Sequence, residues 1–301
     1  MAGFAFPPLP WDNLSAVPEG MPATAAGGGP ERQPPSERPE ESFDTDLFSR
    51  FVEIEEIHFW FAARRRVVRR LLAQLTAGLA PGFRVLDVGC GIGGLQEAMR
   101  EACPQGRVFG FDRYLEGLVF AHGQTGSRLF QADITRPPFG RGFEVACMFD
   151  VLEHLPDDRL VLEKLFGLLA PGGRLFLTVP ASPALWSYFD VEVLHYRRYT
   201  LEDLREKLQA AGFEVEYLTP YMTWLFPLIY LKRRVSALVE KLRPGRPRPM
   251  RQVVAMGDFA YPNPFVNQVG KLLLAPEPGL LARRTRLPFG TSLLTVARRP
   301  G

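Results

Sequence analysis

The 301-residue sequence is short of the residues that staple or metallate small folds, with three cysteines, Cys90, Cys103 and Cys147, and four histidines. A sparse, odd cysteine set without C-x-x-C spacing excludes a secreted disulfide scaffold and a structural zinc site. It predicts a reducing, cytoplasmic setting. No stretch of about 18 residues is apolar and charge-free enough to span a bilayer. No basic segment followed by an apolar run opens the chain, so no secretory leader is expected. Net charge is also small, at +3, but unevenly spread. Residues 1–46 carry eight acids against two arginines, and residues 222–301 carry fourteen Lys/Arg against three acids. Such asymmetry points the C-terminal part towards something anionic, or leaves it an ordinary solvated basic face.

What is present is a globular composition, 46% apolar and 23% charged, in a chain long enough to bury a core. Residues 1–42 hold Gly27-Gly28-Gly29 and Pro34-Pro35 with no apolar period, which predicts a disordered tail. One domain is expected over 43–301. It begins with helical spacing from Asp46 to Leu75, broken by Pro81-Gly82. Strand-like runs follow at Arg84–Val88, Val108–Asp112, Leu129–Ala132, Val145–Phe149, Gly173–Val179, Glu214–Thr219 and Ser292–Ala297. Helical runs at Leu95–Glu101, Leu115–Ala121, Arg159–Leu169 and Leu201–Ala211 alternate with them. This alternation predicts an α/β fold, a doubly wound and mainly parallel sheet of seven strands with an additional N-terminal helix. Residues 222–288 interrupt the pattern before the last strand, and an interruption that long reads as an inserted lid or substrate region.

The strongest motif is Asp87-Val88-Gly89-Cys90-Gly91-Ile92-Gly93-Gly94, between a strand and a helix. Glycines there allow a tight turn and close approach of backbone to ligand. Gly89, Gly91 and Gly94 fit a dinucleotide fingerprint, whereas Gly89, Gly91 and Gly93 with Asp87 fit an acidic-x-G-x-G-x-G loop. Three acids decide between them. Asp87 beside the turn would oppose a pyrophosphate and suits an ammonium group. Asp112, ending the next strand, can accept from ribose hydroxyls. Asp133, ending the third, can accept from an adenine amino group. Together they favour a cationic nucleoside over a nicotinamide dinucleotide, so a nicotinamide-dependent oxidoreductase is the alternative enzyme class. A cofactor-binding scaffold without catalysis is the other alternative.

From Glu56 to Arg299 the sequence resembles the class I S-adenosylmethionine-dependent methyltransferases. The resemblance implies S-adenosylmethionine as cofactor. It places Asp87 and Gly89 against the methionine moiety, Asp112 on the ribose, Asp133 with Ile134 on the adenine, and Phe149 near the sulfonium. Met148-Phe149-Asp150-Val151-Leu152-Glu153-His154-Leu155 is similar to the corresponding segment of small-molecule methyltransferases. The run Leu185–Asp190 through His195–Thr200, with His58–Arg66, looks like a group met near polysaccharide and lipid biosynthesis enzymes. That group commonly has histidine where this chain has Phe189. Trp60 and Arg65 are expected to reach the methionine end of the cofactor.

A hydroxyl or amine acceptor needs a proton acceptor, and His154 and His195 are the candidates, since an unperturbed histidine titrates near 6.5. His154 could equally be a helix-start residue, and His195 could hold its loop. Asp150, Glu153 and His154 resemble a metal-binding cluster of ubiquinone-pathway O-methyltransferases, but no metal is assigned here. Asp190, Arg197 and Arg198 are candidate substrate contacts, with the arginines clamping a phosphate or carboxylate or pairing with Glu192 or Glu202. Methyl transfer to oxygen of a small-molecule or lipid-linked acceptor is the expected reaction. The aromatic run Tyr221–Leu231, followed by Lys232-Arg233-Arg234 and an arginine-rich stretch to Arg251, can roof the pocket or touch an anionic membrane surface over 221–251. The absence of a recognition-helix pattern argues against nucleic acid.

Overall fold

A computed structural model describes residues 52–125, 127–242 and 263–301. The 1–42 tail and the Arg243–Arg251 patch lie outside the described residues. Seven strands form one sheet: β1 (Arg84–Val88), β2 (Arg107–Asp112), β3 (Arg128–Gln131), β4 (Phe143–Phe149), β5 (Leu169–Pro180), β6 (Glu214–Tyr221) and β7 (Ser292–Arg298). Their order is β3-β2-β1-β4-β5-β7-β6. The first five are parallel, and β7 runs antiparallel between β5 and β6. Among the described residues the helices include α1 (Phe59–Thr76), α2 (Gln96–Ala102), α3 (Leu115–Thr125), α4 (Asp158–Leu168), α5 (Tyr188–Glu192), α6 (Leu201–Ala210), α7 (Phe226–Leu242), α8 (Pro264–Leu273) and α9 (Glu277–Ala282).

The period of two along the central strands sorts their side chains between two cores. Leu86, Val88, Ala146, Met148, Leu175 and Leu177 pack with Val161, Leu165, Leu204 and Leu208 of α4 and α6. Val85, Val145, Cys147 and Phe176 pack with Val68, Leu72, Met99 and Leu281 of α1, α2 and α9. Both faces of the sheet are therefore covered, as the uninterrupted apolar runs require. β5 begins four residues before the expected Gly173, because Leu169 already pairs with Phe143 across an irregularity in β4.

The described parts of the 222–288 segment pack in different places. α8 and α9 pack on α1. Asn267 bridges the start of α1, accepting from Phe59 N at 2.7 Å and donating to Ile57 O at 2.9 Å. The buried Glu277 carboxylate accepts from the Met222 and Thr223 amides. These bonds fix the far end of the insertion, while α7 runs past the carboxyl edge of the sheet, where Arg233 reaches Asp190. The strand order reverses between β1 and β4, so a crevice for ligands is expected at that same edge. Four non-glycine residues with positive φ follow strands or precede site residues there: Asp150 (54°), Ser182 (58°), Leu194 (60°) and Met222 (58°). Strained backbone of this kind persists only where surrounding contacts over-determine it, and it gathers at functional sites.

Candidate functional site

The glycine loop follows β1. Gly89 has φ +75°, and a Cβ there would lie 2.6 Å from Val151 Cγ2, so neither turn nor packing admits a side chain. Asp87 is 3% exposed and turns inward, where Gln96 Nε2 donates to it at 2.6 Å. Gly110, its register partner on β2, leaves room for that amide; a Cβ at Gly110 would sit 2.9 Å from Gln96 Nε2. Burial pushes the Asp87 carboxyl up to about 7, against the Gln96 hydrogen bond that lowers it. Asp112 ends β2 and accepts from Gly91 N at 2.8 Å and Tyr114 N at 2.9 Å, tying the glycine loop to the second strand. Asp133 accepts from the amide and hydroxyl of Thr135, both at 2.8 Å. Ile134 beside it is buried. The acids at the strand ends thus also organise their own turns.

Phe149 ends β4 and packs edge-on against Phe176, with ring centroids 5.0 Å apart. Arg64 rather than Arg65 reaches this point. Its Nη2 donates to Phe149 O at 2.7 Å and lies 2.9 Å from Asp150 Oδ2, and its guanidinium stands 5.2 Å from the Trp60 ring. Arg65 turns the other way and donates to Glu55 O and Glu56 O. Arg64 is the site residue that the sequence reading missed, although its position carried a signal. It falls three residues after Phe61 and three before Val67, on the centre of the apolar stripe of α1, where an arginine needs a buried partner.

Beyond Asp150 a single 3-10 turn, Leu152–His154, brings Glu153 and His154 against the loop carrying His195. The two imidazoles meet edge-on at 4.7 Å between centroids. Asp190 Oδ1 lies 3.0 Å from His195 Nδ1, and Glu153 Oε1 lies 3.8 Å from His195 Nε2. Glu153 is 1% exposed, and its Oε2 has no hydrogen-bond partner. Burial, then the nearby Asp150 charge, raises its carboxyl well above the usual range, favouring the protonated form. Burial and the neighbouring His195 lower His154 to about 4, so it stays neutral. Glu153, His154 and His195 offer ligand atoms within 4.8 Å of one another. Asp150 is engaged by Arg64, so it is His195, not Asp150, that completes this group of potential metal donors.

Asp190, expected to face a substrate, is instead fully buried. It accepts from Ser187 N at 2.8 Å and Arg198 Nε at 2.6 Å, and Arg233 Nη1 lies 3.2 Å away. Burial alone would raise its carboxyl; His195 and Arg198 hold it down at about 2. Arg198 also donates to Ala181 O. Arg197 lies 2.7 Å from Asp158 and donates to Pro156 O. Arg197 thus pairs with Asp158 and Arg198 with Asp190. Tyr199 is buried and donates to Asp158, a packing role.

The cradle fits an adenosyl cofactor. The loop at Gly89 cannot accept a side chain, acids stand at three successive strand ends, and apolar Ile134 and Phe149 flank them. A family model described as a methyltransferase domain matches residues 60–218, more than half of the chain. Trans-aconitate 2-methyltransferase of Rhodopseudomonas palustris is 28% identical over 197 residues, 62% of this chain and 76% of that protein. A ubiquinone biosynthesis O-methyltransferase of Xanthomonas axonopodis pv. citri is 32% identical over 123 residues, covering 38% of this chain and about half, 52%, of its own length. The methyltransferase solved with the Haloferax volcanii Trm112 methyltransferase activator superposes with a TM-score of 0.54 at 19% identity, covering 84% of this chain and 95% of that one. Loop, sheet order and family match agree: the chain belongs to the class I S-adenosylmethionine-dependent methyltransferases.

Proposed function

We propose that the chain methylates a hydroxyl of a small-molecule or lipid-linked acceptor, with His195 as the proton acceptor. The observation that carries this reading is the Asp190–His195 pair. A carboxylate can only accept, so Asp190 fixes the imidazole proton on Nδ1 and leaves the Nε2 lone pair, on the Glu153 side of the ring, available to accept a proton. Glu153 at 3.8 Å is too far to claim that lone pair. Leu194, with φ +60°, turns the loop so that His195 faces back to Asp190. His154, with its pKa near 4, is the poorer base and serves as an uncharged wall of the site.

On the cofactor side, the side-chain-free backbone of the Gly89, Gly91 and Gly93 loop lets the methionine end approach closely, and Asp87 and Trp60 hold it. Asp112 holds the ribose, Asp133 and Ile134 the adenine, and Phe149 lines the sulfonium. Arg64 anchors the β4 end against α1 and so positions Phe149. Bound there, S-adenosylmethionine supplies an electrophilic methyl group. The chain must then hold the acceptor oxygen about 3 Å from that carbon, in line with the sulfur. Contact of 221–251 with a membrane would bring a lipid-linked acceptor to this edge.

Calorimetric titration with S-adenosylhomocysteine tests the cofactor half. Asp112→Ala removes charge-assisted hydrogen bonds and should weaken binding by roughly 10- to 100-fold. Because Asp87 titrates near 7, ionising it for a bound ammonium group releases a proton. Affinity should therefore rise as pH rises through 7, by up to about tenfold between pH 6 and 8, and Asp87→Asn should flatten the profile. Unchanged binding in Asp112→Ala would sink the ribose assignment. The acceptor half is tested with labelled methyl donor against catechol-like, hydroxy-acid and polyprenyl-linked acceptors; methylation confined to amines would overturn it. A second reading rests on the 4.8 Å cluster of Glu153, His154 and His195 holding a divalent cation that lowers the pKa of the acceptor hydroxyl. Loss of turnover after chelation, restored by magnesium or zinc, would select it over the metal-free base.

A further inference from the structure

The insertion leaves two helices with apolar faces turned to solvent. Leu228, Leu231 and Val235 of α7 are each at least half exposed and fall at i, i+3 and i+7, and Trp224, half exposed in the turn before the helix, precedes them by four residues. On α8, Phe265, Val269 and Leu272 repeat at i, i+4 and i+7, with Phe265 76% exposed. The opposite side of α8 is spoken for: Gly270 and Leu274 are buried, and Asn267 clamps α1. Both helices touch the turn Thr223–Leu225, so Trp224 stands where the two stripes converge. Exposed apolar side chains gathered on one face of each helix mark an interaction site.

Charge identifies what it meets. α7 carries Lys232 and Arg234 beside the stripe, both exposed, with Arg234 over the Tyr230 ring at 4.9 Å. α8 adds Lys271 and no acid. Apolar side chains bordered by Lys and Arg suit an interface of acyl chains beneath anionic headgroups. A protein partner of the ordinary kind would instead be matched by a surface depleted of Lys at its core.

We infer that the α7 and α8 stripes, with Trp224 at their junction, dock on the surface of an anionic lipid bilayer. No described helix is long and apolar enough to cross a membrane, so the contact is peripheral. The docking face of α7 has the site behind it. Arg233, between Lys232 and Arg234, points inward to Asp190 Oδ2 and the Leu185 carbonyl. A docked α7 therefore lies between the bilayer surface and the Asp190 cluster. This inference extends the lipid-linked reading above and names the surface that would deliver such an acceptor.

The test is flotation of the full-length chain with vesicles of phosphatidylglycerol and phosphatidylcholine, against pure phosphatidylcholine. The wild type is expected to float with the anionic vesicles and to be released by salt. Leu231→Glu combined with Phe265→Glu, and separately Lys232→Glu with Arg234→Glu, should each cut the bound fraction by roughly tenfold or more. These side chains are exposed, so S-adenosylhomocysteine affinity should be unchanged and reports that the fold is intact. Absence of wild-type flotation, or flotation untouched by Leu231→Glu/Phe265→Glu, overturns the surface. Sedimentation showing a dimer that these substitutions dissociate, without lipid binding, overturns it in favour of a second copy. Flotation without methyl transfer to any lipid-linked acceptor keeps the surface and removes the acceptor class.

Discussion

Replacing His195 with alanine is expected to lower kcat by roughly 10²- to 10⁴-fold, the span a positioned general base supplies. Affinity for S-adenosylhomocysteine should hold, because the acids proposed to bind the cofactor belong to β1, β2 and the turn after β3, and their hydrogen bonds go to groups other than His195. The distinction between a base and a loop-holding residue lies in the pH profile. In the wild type the acid limb of kcat reports protonation of the catalytic base in the ternary complex. In His195→Ala that limb should vanish while the residual rate rises with hydroxide. His154→Ala offers the control. Its imidazole is held neutral with a pKa near 4, so its loss should change KM by altering the wall of the site and leave the limb in place. An unaltered kcat in His195→Ala, with KM alone raised, would move His195 from catalysis to substrate binding. The donor for methyl transfer must be present at saturation in each assay, since only then does kcat exclude cofactor capture.

The parts of this molecule that sequence made legible are those governed by local period. All seven expected strands lie in the sheet, and the signal is plainest in β4, β5 and β7, whose apolar runs are covered on both faces and hold few polar residues to blur it. Capping sets the helix starts. α4 starts at Asp158, one residue before the expected Arg159, because Asp157 accepts from Leu160 N, and α6 starts at the expected Leu201, where Thr200 accepts from Asp203 N. Pairings between distant segments were not legible. Arg64 to Asp150, Asp190 to Arg233 and Glu277 to the Met222 amide span 86, 43 and 55 positions, the separations given by their residue numbers. No period encodes such a contact. Asp190 shows the consequence: as a polar residue in a loop of Tyr and Arg it reads as a ligand contact, whereas its burial makes it the acceptor that several donors require. The glycine loop was readable for the opposite reason, since Gly89 must both take a positive φ and avoid Val151, and only one residue type does both.

Asp190 also carries the largest expected effect on stability. Asp190→Ala should destabilise the fold by about 3–5 kcal/mol, because it leaves the buried guanidinium of Arg198 without its counterion, and a buried charge stripped of its partner is costly. Arg233 loses the same carboxylate, and the Ser187 amide loses its capping acceptor, so α5 and the inner face of α7 loosen together. Asp190→Asn keeps the volume and one acceptor oxygen and should cost less, while presenting an amide donor to groups that are themselves donors. The pH dependence has a definite sign. The folded carboxyl titrates at about 2, below its unfolded value near 3.8, so its contribution is present above pH 4 and lost as pH falls through 2. Denaturant midpoints of the wild type should fall across that window, and those of Asp190→Asn should fall less. Because Asp190 also fixes the His195 tautomer, Asp190→Asn should lower kcat even at temperatures where it remains folded. A variant that loses stability but keeps full kcat would confine Asp190 to the scaffold and leave His195 oriented by the loop alone.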